Sequence, residues 1–152
     1  KGRPRYNMEW TEEEENTFKY FQTPNQLAEA LYSDDKRLRQ RSFTSIKSIS
    51  HLRMDLSFYL RGIENIEECL DNIFYVGRLE TINEDFKKIV IKLGYPKEDL
   101  INIKYNNIIT HKTPNKYIKL SRISDIGRKN LTRYYQNDYK IIKFLHNKRM
   151  IN

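Results

Sequence analysis

The residues best able to do chemistry stand at the end of a short apolar run. Ile73-Phe74-Tyr75-Val76 is followed by Gly77 and then by Arg78-Leu79-Glu80-Thr81. Consecutive β-branched and aromatic residues over that length read as a buried strand. Gly77 permits a turn or a close approach. Thr81 then caps a helix, with Glu84 three residues on to close a capping box. In open α/β sheets, ligands bind where strands end and helices begin. The charged pair Arg78 and Glu80 falls at such a junction. A second cationic stretch, Thr110-His111-Lys112-Thr113-Pro114-Asn115-Lys116, reads as a polar loop. Its hydroxyls, backbone N–H groups and ammonium groups suit an anion, and an ordinary surface turn set by Pro114 is the other reading. His51 lies beside an apolar helical stripe, where an imidazole serves either as a structural hydrogen-bond partner or as a ligand or catalyst.

The elements that must position these groups are mostly helical. Thr11 with Glu14 predicts a capped helix that carries Phe18 and Phe21 on one face. Thr23-Pro24-Asn25-Gln26 is a second start signal, with Leu27, Ala30 and Leu31 at helical spacing. Ser33-Asp34-Asp35 ends that helix and starts the longest one, expected over Asp35 to Leu60. Its stripe is Ile46, Ile49, Leu52, Leu56, Tyr59 and Leu60, and Gly62 is its stop. The opposite face holds Lys36, Arg37, Arg39, Arg41, Lys47 and Arg53, a pattern usual for a solvated surface. Asn65 to Asp71 reads as a short helix or turn, with Cys69 as a small core or interface residue.

The helix after Thr81 shows Ile82, Phe86, Ile89, Val90 and Leu93 on one face, with Gly94 and Pro96 beyond its end. Ile101, Ile103 and Tyr105 alternate as a short edge strand would. Ser121 or Ser124 opens the C-terminal region, packed through Ile126, Leu131, Tyr134 and Tyr135. A break at Asn137-Asp138 leads to a last helix carrying Tyr139, Ile142, Phe144 and Leu145. The expected class is therefore α/β, mostly helical with one or two strands, in a single domain over 1–152. A lone strand cannot satisfy its own backbone groups, so its partners are expected upstream of Lys1.

Bulk properties narrow the partners. The chain has 152 residues, enough for one core, and 28 Lys+Arg against 20 Asp+Glu give a net charge of +8. That balance favours an anionic partner: a nucleotide, a sulfated or phosphorylated ligand, nucleic acid or a membrane surface. One cysteine rules out an internal disulfide framework or a multi-Cys zinc site. No apolar run is long enough to span a membrane. His51, His111 and His146 are not at metal-ligand spacing, so no metal is expected. Neither a G-x-x-x-x-G-K-[ST] loop nor a G-x-G-x-x-G run occurs.

Several segments, taken in order, are nevertheless similar to one family. They are Gly2-Arg3-Pro4-Arg5-Tyr6, Trp10 with its acidic helix, and Phe21 through Leu31. Ile49-Ser50-His51 and Tyr59-Leu60-Arg61-Gly62 follow. Then come Val76-Gly77-Arg78-Leu79-Glu80-Thr81 with Asp85-Phe86, and His111-Lys112-Thr113-Pro114. Leu120-Ser121, Asn130-Leu131, Tyr134-Tyr135 and Asp138-Tyr139 complete the series. This order resembles the middle and C-terminal portion of a carbohydrate-type sulfotransferase family.

The resemblance implies a P-loop-like α/β fold, here N-terminally truncated. It also implies transfer of a sulfuryl group from 3′-phosphoadenylyl sulfate (PAPS) to a hydroxyl acceptor, a carbohydrate for preference, without a metal. The phosphosulfate-binding loop, the first 3′-phosphate residues and the catalytic base would precede Lys1, as the missing part of the same domain. Within this chain Arg78, Lys112, Thr113 and Lys116 would hold the nucleotide. His51 and Arg53 would face the acceptor, and Glu80 would order the junction. Nucleic acid is not an expected partner on this reading. The compartment would be the cytoplasm in a bacterial or viral setting and the Golgi lumen in a eukaryotic one. A small basic module for nucleic acid or another polyanion, or an inactive remnant, is the competing expectation. Against the nucleic-acid reading, the cations are dispersed, Glu12 to Glu15 is acidic, and the tyrosines follow core periodicity.

Overall fold

A computed structural model of the protein describes residues 9–96, 122–148, 150 and 151. Its helices are α1 (Glu12–Tyr20), α2 (Pro24–Ala30), α3 (Lys36–Ser48), α4 (Ser50–Arg53), α5 (Leu56–Leu60), α6 (Gly62–Glu68), α7 (Ile82–Lys92), α8 (Asp125–Tyr134) and α9 (Gln136–Asn147). Two 3-10 turns, Leu70–Asn72 and Leu79–Thr81, flank the extended segment 73–78.

The start signals act as their chemistry requires. Thr11 Oγ1 accepts the Glu14 amide while Glu14 accepts the Thr11 amide. Thr23 and Gln26 form the same reciprocal pair, with Pro24 in the first turn. Each pair satisfies donors that a helix end otherwise leaves orphaned. Ser124, rather than Ser121, caps α8 through the Gly127 amide.

The α/β architecture expected from the sequence is not observed: among the described residues there is no strand and no sheet, and the fold is all-helical. Residues 73–78 are extended, but side chains rather than a neighbouring strand take up part of their backbone bonding. Lys92 Nζ donates to the Phe74 carbonyl at 2.6 Å and lies over the Phe74 ring at 4.6 Å. The Arg78 amide donates to Asp85 Oδ2 at 2.9 Å. An apolar run this short is equally compatible with a half-buried connector between helices. The expected edge strand around Ile101 to Tyr105 lies outside the described residues.

The expected long helix over Asp35 to Leu60 is also corrected. It is three helices, broken at Ile49 and again at Met54-Asp55. Asp55 Oδ1 accepts the Phe58 amide at 2.8 Å, and Asp138 of α9 accepts the Leu56 and Ser57 amides at 3.1 and 3.0 Å. Two carboxylates thus restart the chain as α5, favoured by the partial positive charge of its first turn. The chain does reverse at Arg61-Gly62, where φ is +57° and +86°, but α6 begins there.

Two apolar clusters result. Phe21, Leu27, Ala30, Leu31 and Ile46 form the first, beneath α1 to α4 and α8. Ile66, Ile141 and Leu145 form the second, where α9 meets α5, α6 and the connector residues Ile73 and Val76. Burial selects Ile141 and Leu145 on α9. The expected packing residues Tyr139 and Ile142 are exposed, as is Ile126 on α8. Cys69 is exposed rather than a core residue. Among the described residues no helix is long and apolar enough to cross a membrane.

A polar lock holds α8 on α2. Asn25 Oδ1 accepts the Ser124 amide at 2.7 Å, and Ser124 Oγ donates to Glu29 at 2.6 Å. Asn130 Nδ2 donates to the carbonyls of Ala28 and Glu29. The Ser124 hydroxyl, with Asn25, holds the Glu29 carboxyl below its ordinary range. Gly127 makes this approach possible, because a Cβ there would meet Asn25 Oδ1 at 2.9 Å.

Candidate functional site

The junction of the connector with α7 is organised by one carboxylate. Asp85 is buried in the first turns of α7 and accepts four hydrogen bonds: from the Arg78 amide, the Thr81 hydroxyl at 2.7 Å, the Tyr75 hydroxyl at 3.0 Å and Lys88 Nζ at 3.5 Å. Lys88 Nζ shares Oδ1 with the Tyr75 hydroxyl. The Arg78 N–H and then the Thr81 hydroxyl hold the Asp85 carboxyl far below the usual carboxylate range. Burial and the bond to Asp85 push the Tyr75 phenol up. This hub replaces the capping box expected from Thr81 and Glu84. Thr81 makes no side-chain cap bond, because its hydroxyl donates to Asp85.

Asp85 fixes the Arg78 backbone and leaves its guanidinium exposed. No carboxylate among the described residues pairs with that guanidinium. It opens onto a cavity of about 170 Å³ shared with Thr81, Lys88, Tyr75, the carboxylates of Glu84 and Asp85, and Met150 and Ile151. Lys88 is paired with Asp85 and the Thr81 hydroxyl donates to it, so Arg78 is the cation at this cavity left to meet an anionic group. Glu80, expected to order this junction, is exposed and its side chain bonds to nothing among the described residues. Asp85 performs the ordering instead. Lys112, Thr113 and Lys116 lie outside the described residues.

His51 and Arg53 are elsewhere. Both belong to α4, two residues apart, so they project to different faces. His51 is at the rim of a cavity of about 450 Å³ whose walls are Phe18, Phe21, Leu27, Ile46, Ile49 and Leu131. Its polar neighbours are already engaged. Thr17 Oγ1 bonds Ser48 Oγ at 3.2 Å, and the Tyr135 hydroxyl donates to the Leu52 carbonyl at 2.8 Å. Burial, with Tyr134, Asp138 and Asp55 nearby, pushes the Tyr135 phenol up to about 12, so it remains a neutral donor. This cavity accepts an apolar or ring-shaped moiety and offers the imidazole as its polar contact. The structure therefore places Arg78 and His51 on separate cavities.

Asp85, Thr81, Lys88 and Tyr75 were not singled out as site residues by their types. The spacing of Thr81 and Lys88 from Asp85 (i−4 and i+3) is a helical-neighbour signal that was available. Nothing in the spacing of Tyr75 to Asp85 announces their contact. Among the described residues no group of three or more His, Cys, Asp or Glu is placed to hold a metal ion. Comparison with family models, with curated proteins and with solved structures finds no match to this chain.

Proposed function

We propose that this chain is the acceptor-side and C-terminal part of a PAPS-dependent sulfotransferase acting on a hydroxyl acceptor, a carbohydrate for preference. The motif order quoted above motivates the reading. The observation that carries it is Arg78: a guanidinium without a carboxylate partner among the described residues, on a backbone pinned by Asp85, beside Thr81 and Lys88. Sulfuryl transfer requires a donor anion held in one orientation and positive groups where charge develops on the departing phosphate. Asp85 fixes the backbone from which that cation projects, which lowers the ordering cost of binding at the main chain.

In this scheme Arg78 binds a phosphate of the donor, on a junction that Asp85 orders through Thr81 and Lys88. Lys112, Thr113 and Lys116, outside the described residues, are assigned to the nucleotide. His51 and Arg53 contact the acceptor, and the apolar cavity beneath His51 takes a sugar face. No base for the acceptor proton is assigned among the described residues. The test is transfer of radiolabelled sulfate from PAPS to a panel of glycans by the protein carrying this chain. The proposal expects transfer, at least ten-fold reduced by Arg78→Ala. Absence of transfer to every acceptor, together with absence of binding by the bisphosphate product, would overturn it.

A further inference from the structure

The first turn of α1 carries Glu12 to Glu15, which suits the positive end of a helix. The first turn of α3 has no acidic residue and opens with Lys36-Arg37. Its cap, Asp35, is engaged with the Arg37 and Leu38 amides.

These cations line a groove of about 930 Å³ between α1 and α3. Lys19 and Tyr20 stand on the α1 wall, and Lys36, Arg37 and Arg41 on the α3 wall. Glu13 is the one carboxylate in the lining. Lys36 and Arg37 are exposed and have no ion pair among the described residues. Lys19 pairs with Glu15 at 3.3 Å in an exposed helical contact that yields easily to a better anion. Arg41 lies over the Tyr20 ring at 4.2 Å, which steadies the guanidinium without neutralising it. Lys36 and Arg41 are separated by about 7.5 Å along the helix axis, which matches two anionic groups on one ligand.

The same contacts say what the ligand is not. Single strands of nucleic acid bind by stacking bases on open aromatic faces. Tyr20 is the aromatic residue in this groove, and Arg41 covers a face while Phe21 meets it edge-on at 4.8 Å. Asn16, Gln40 and Thr44 add amides and a hydroxyl, which suit a hydroxyl-rich scaffold. We propose that the α1–α3 groove binds a polyol bearing two or more sulfate or phosphate esters, held by Lys36, Arg37 and Arg41. The site is separate from the Arg78 and His51 cavities and does not depend on the sulfotransferase reading.

The test is calorimetric titration of the full chain with inositol hexakisphosphate, a sulfated tetrasaccharide derived from heparin, and a single-stranded oligonucleotide of matched charge. Binding of either polyol ester is expected, and the tighter of the two names its source. The oligonucleotide is expected to bind at least ten-fold more weakly. The variant K36A/R37A/R41A is expected to lose at least ten-fold. A control of equal charge change on the exposed faces of α8 and α9, K129A/K140A/K143A, is expected to lose less than three-fold. The variant K36Q/R37Q leaves the Arg41–Tyr20 contact intact and is expected to weaken binding by at least five-fold with an unchanged circular dichroism spectrum. Failure of both polyol esters to bind, equal loss in groove and control variants, or tighter binding of the oligonucleotide would overturn the proposal.

Discussion

Gly127 offers a prediction in which two well-known effects have opposite signs. Replacing a glycine inside a helix by alanine is ordinarily stabilising, by about 1 kcal/mol. Gly127 is in the first turn of α8, so propensity alone predicts a gain. The packing predicts a loss. A Cβ would stand 2.9 Å from Asn25 Oδ1, 3.0 Å from Ile123 Cγ2 and 3.2 Å from the Ala28 Cβ. The Asn25 oxygen cannot retreat freely, because it accepts the Ser124 amide at 2.7 Å. Overpacking a filled site costs about 1–3 kcal/mol, and loosening one such hydrogen bond about 1 kcal/mol more. Set against the propensity gain, Gly127→Ala should destabilise by about 2 kcal/mol, which lowers Tm by roughly 4–8 °C for a chain of this size. Urea denaturation and a thermal melt measure both quantities. Lys129→Ala, exposed on the same helix, should change stability little. In an Asn25→Ala background the added methyl should cost less, because its closest neighbour is gone. A Gly127→Ala protein that melts at or above the parent would refute the packing of α8 on α2 derived above.

Three further outcomes follow from the polar contacts. Asp85→Asn weakens the hub, and because the native carboxyl titrates far below its unfolded value, the parent's advantage should be full at neutral pH and shrink as pH falls below about 4; urea midpoints at pH 7 and pH 3 that differ equally from the parent's would contradict this. Tyr135→Phe should cost about 1 kcal/mol through the lost bond to Leu52. Since the Tyr135 phenol is raised to about 12, stability that depends on its neutral form is complete below about pH 10 and declines as pH rises toward 12; absorbance titration at about 295 nm should lose its last-ionising phenol in the variant. Asp138→Ala should cost about 1–3 kcal/mol and speed hydrogen exchange at the Leu56 and Ser57 amides, which it otherwise accepts.

What the residues announced, and what they hid, divides by the range of the interaction. Thr11 with Glu14 and Thr23 with Gln26 were legible because a capping box is complete within four residues. The Ile82–Lys92 helix was legible through its period, although Ile82, Phe86 and Leu93 on that face are exposed. Residues 73–76 misled because an apolar, β-branched run is the same for a strand and for a half-buried connector. Only distant side chains, Lys92 and Asp85, distinguish the two. The break of the expected long helix was hidden for the same reason, since Asp138 is more than eighty residues from the amides it accepts. Of the candidate site, Arg78 was legible as a cation at a junction. Its carboxylate anchor was not, because Asp85 reads locally as an ordinary acidic residue in a helix's first turns.

The most direct test of the central claim is the affinity of adenosine 3′,5′-bisphosphate for the protein carrying this chain, compared with its Arg78→Ala variant. Alanine keeps the amide that Asp85 accepts, so the junction should remain folded and circular dichroism unchanged. A hydrogen bond to a charged group is worth about 1.5–3 kcal/mol, which is roughly a ten- to hundred-fold loss of affinity. Tight binding by the parent with that loss in the variant is the predicted result. Equal affinity in both proteins, or no binding by the parent, would contradict the assignment of Arg78 as the donor anchor.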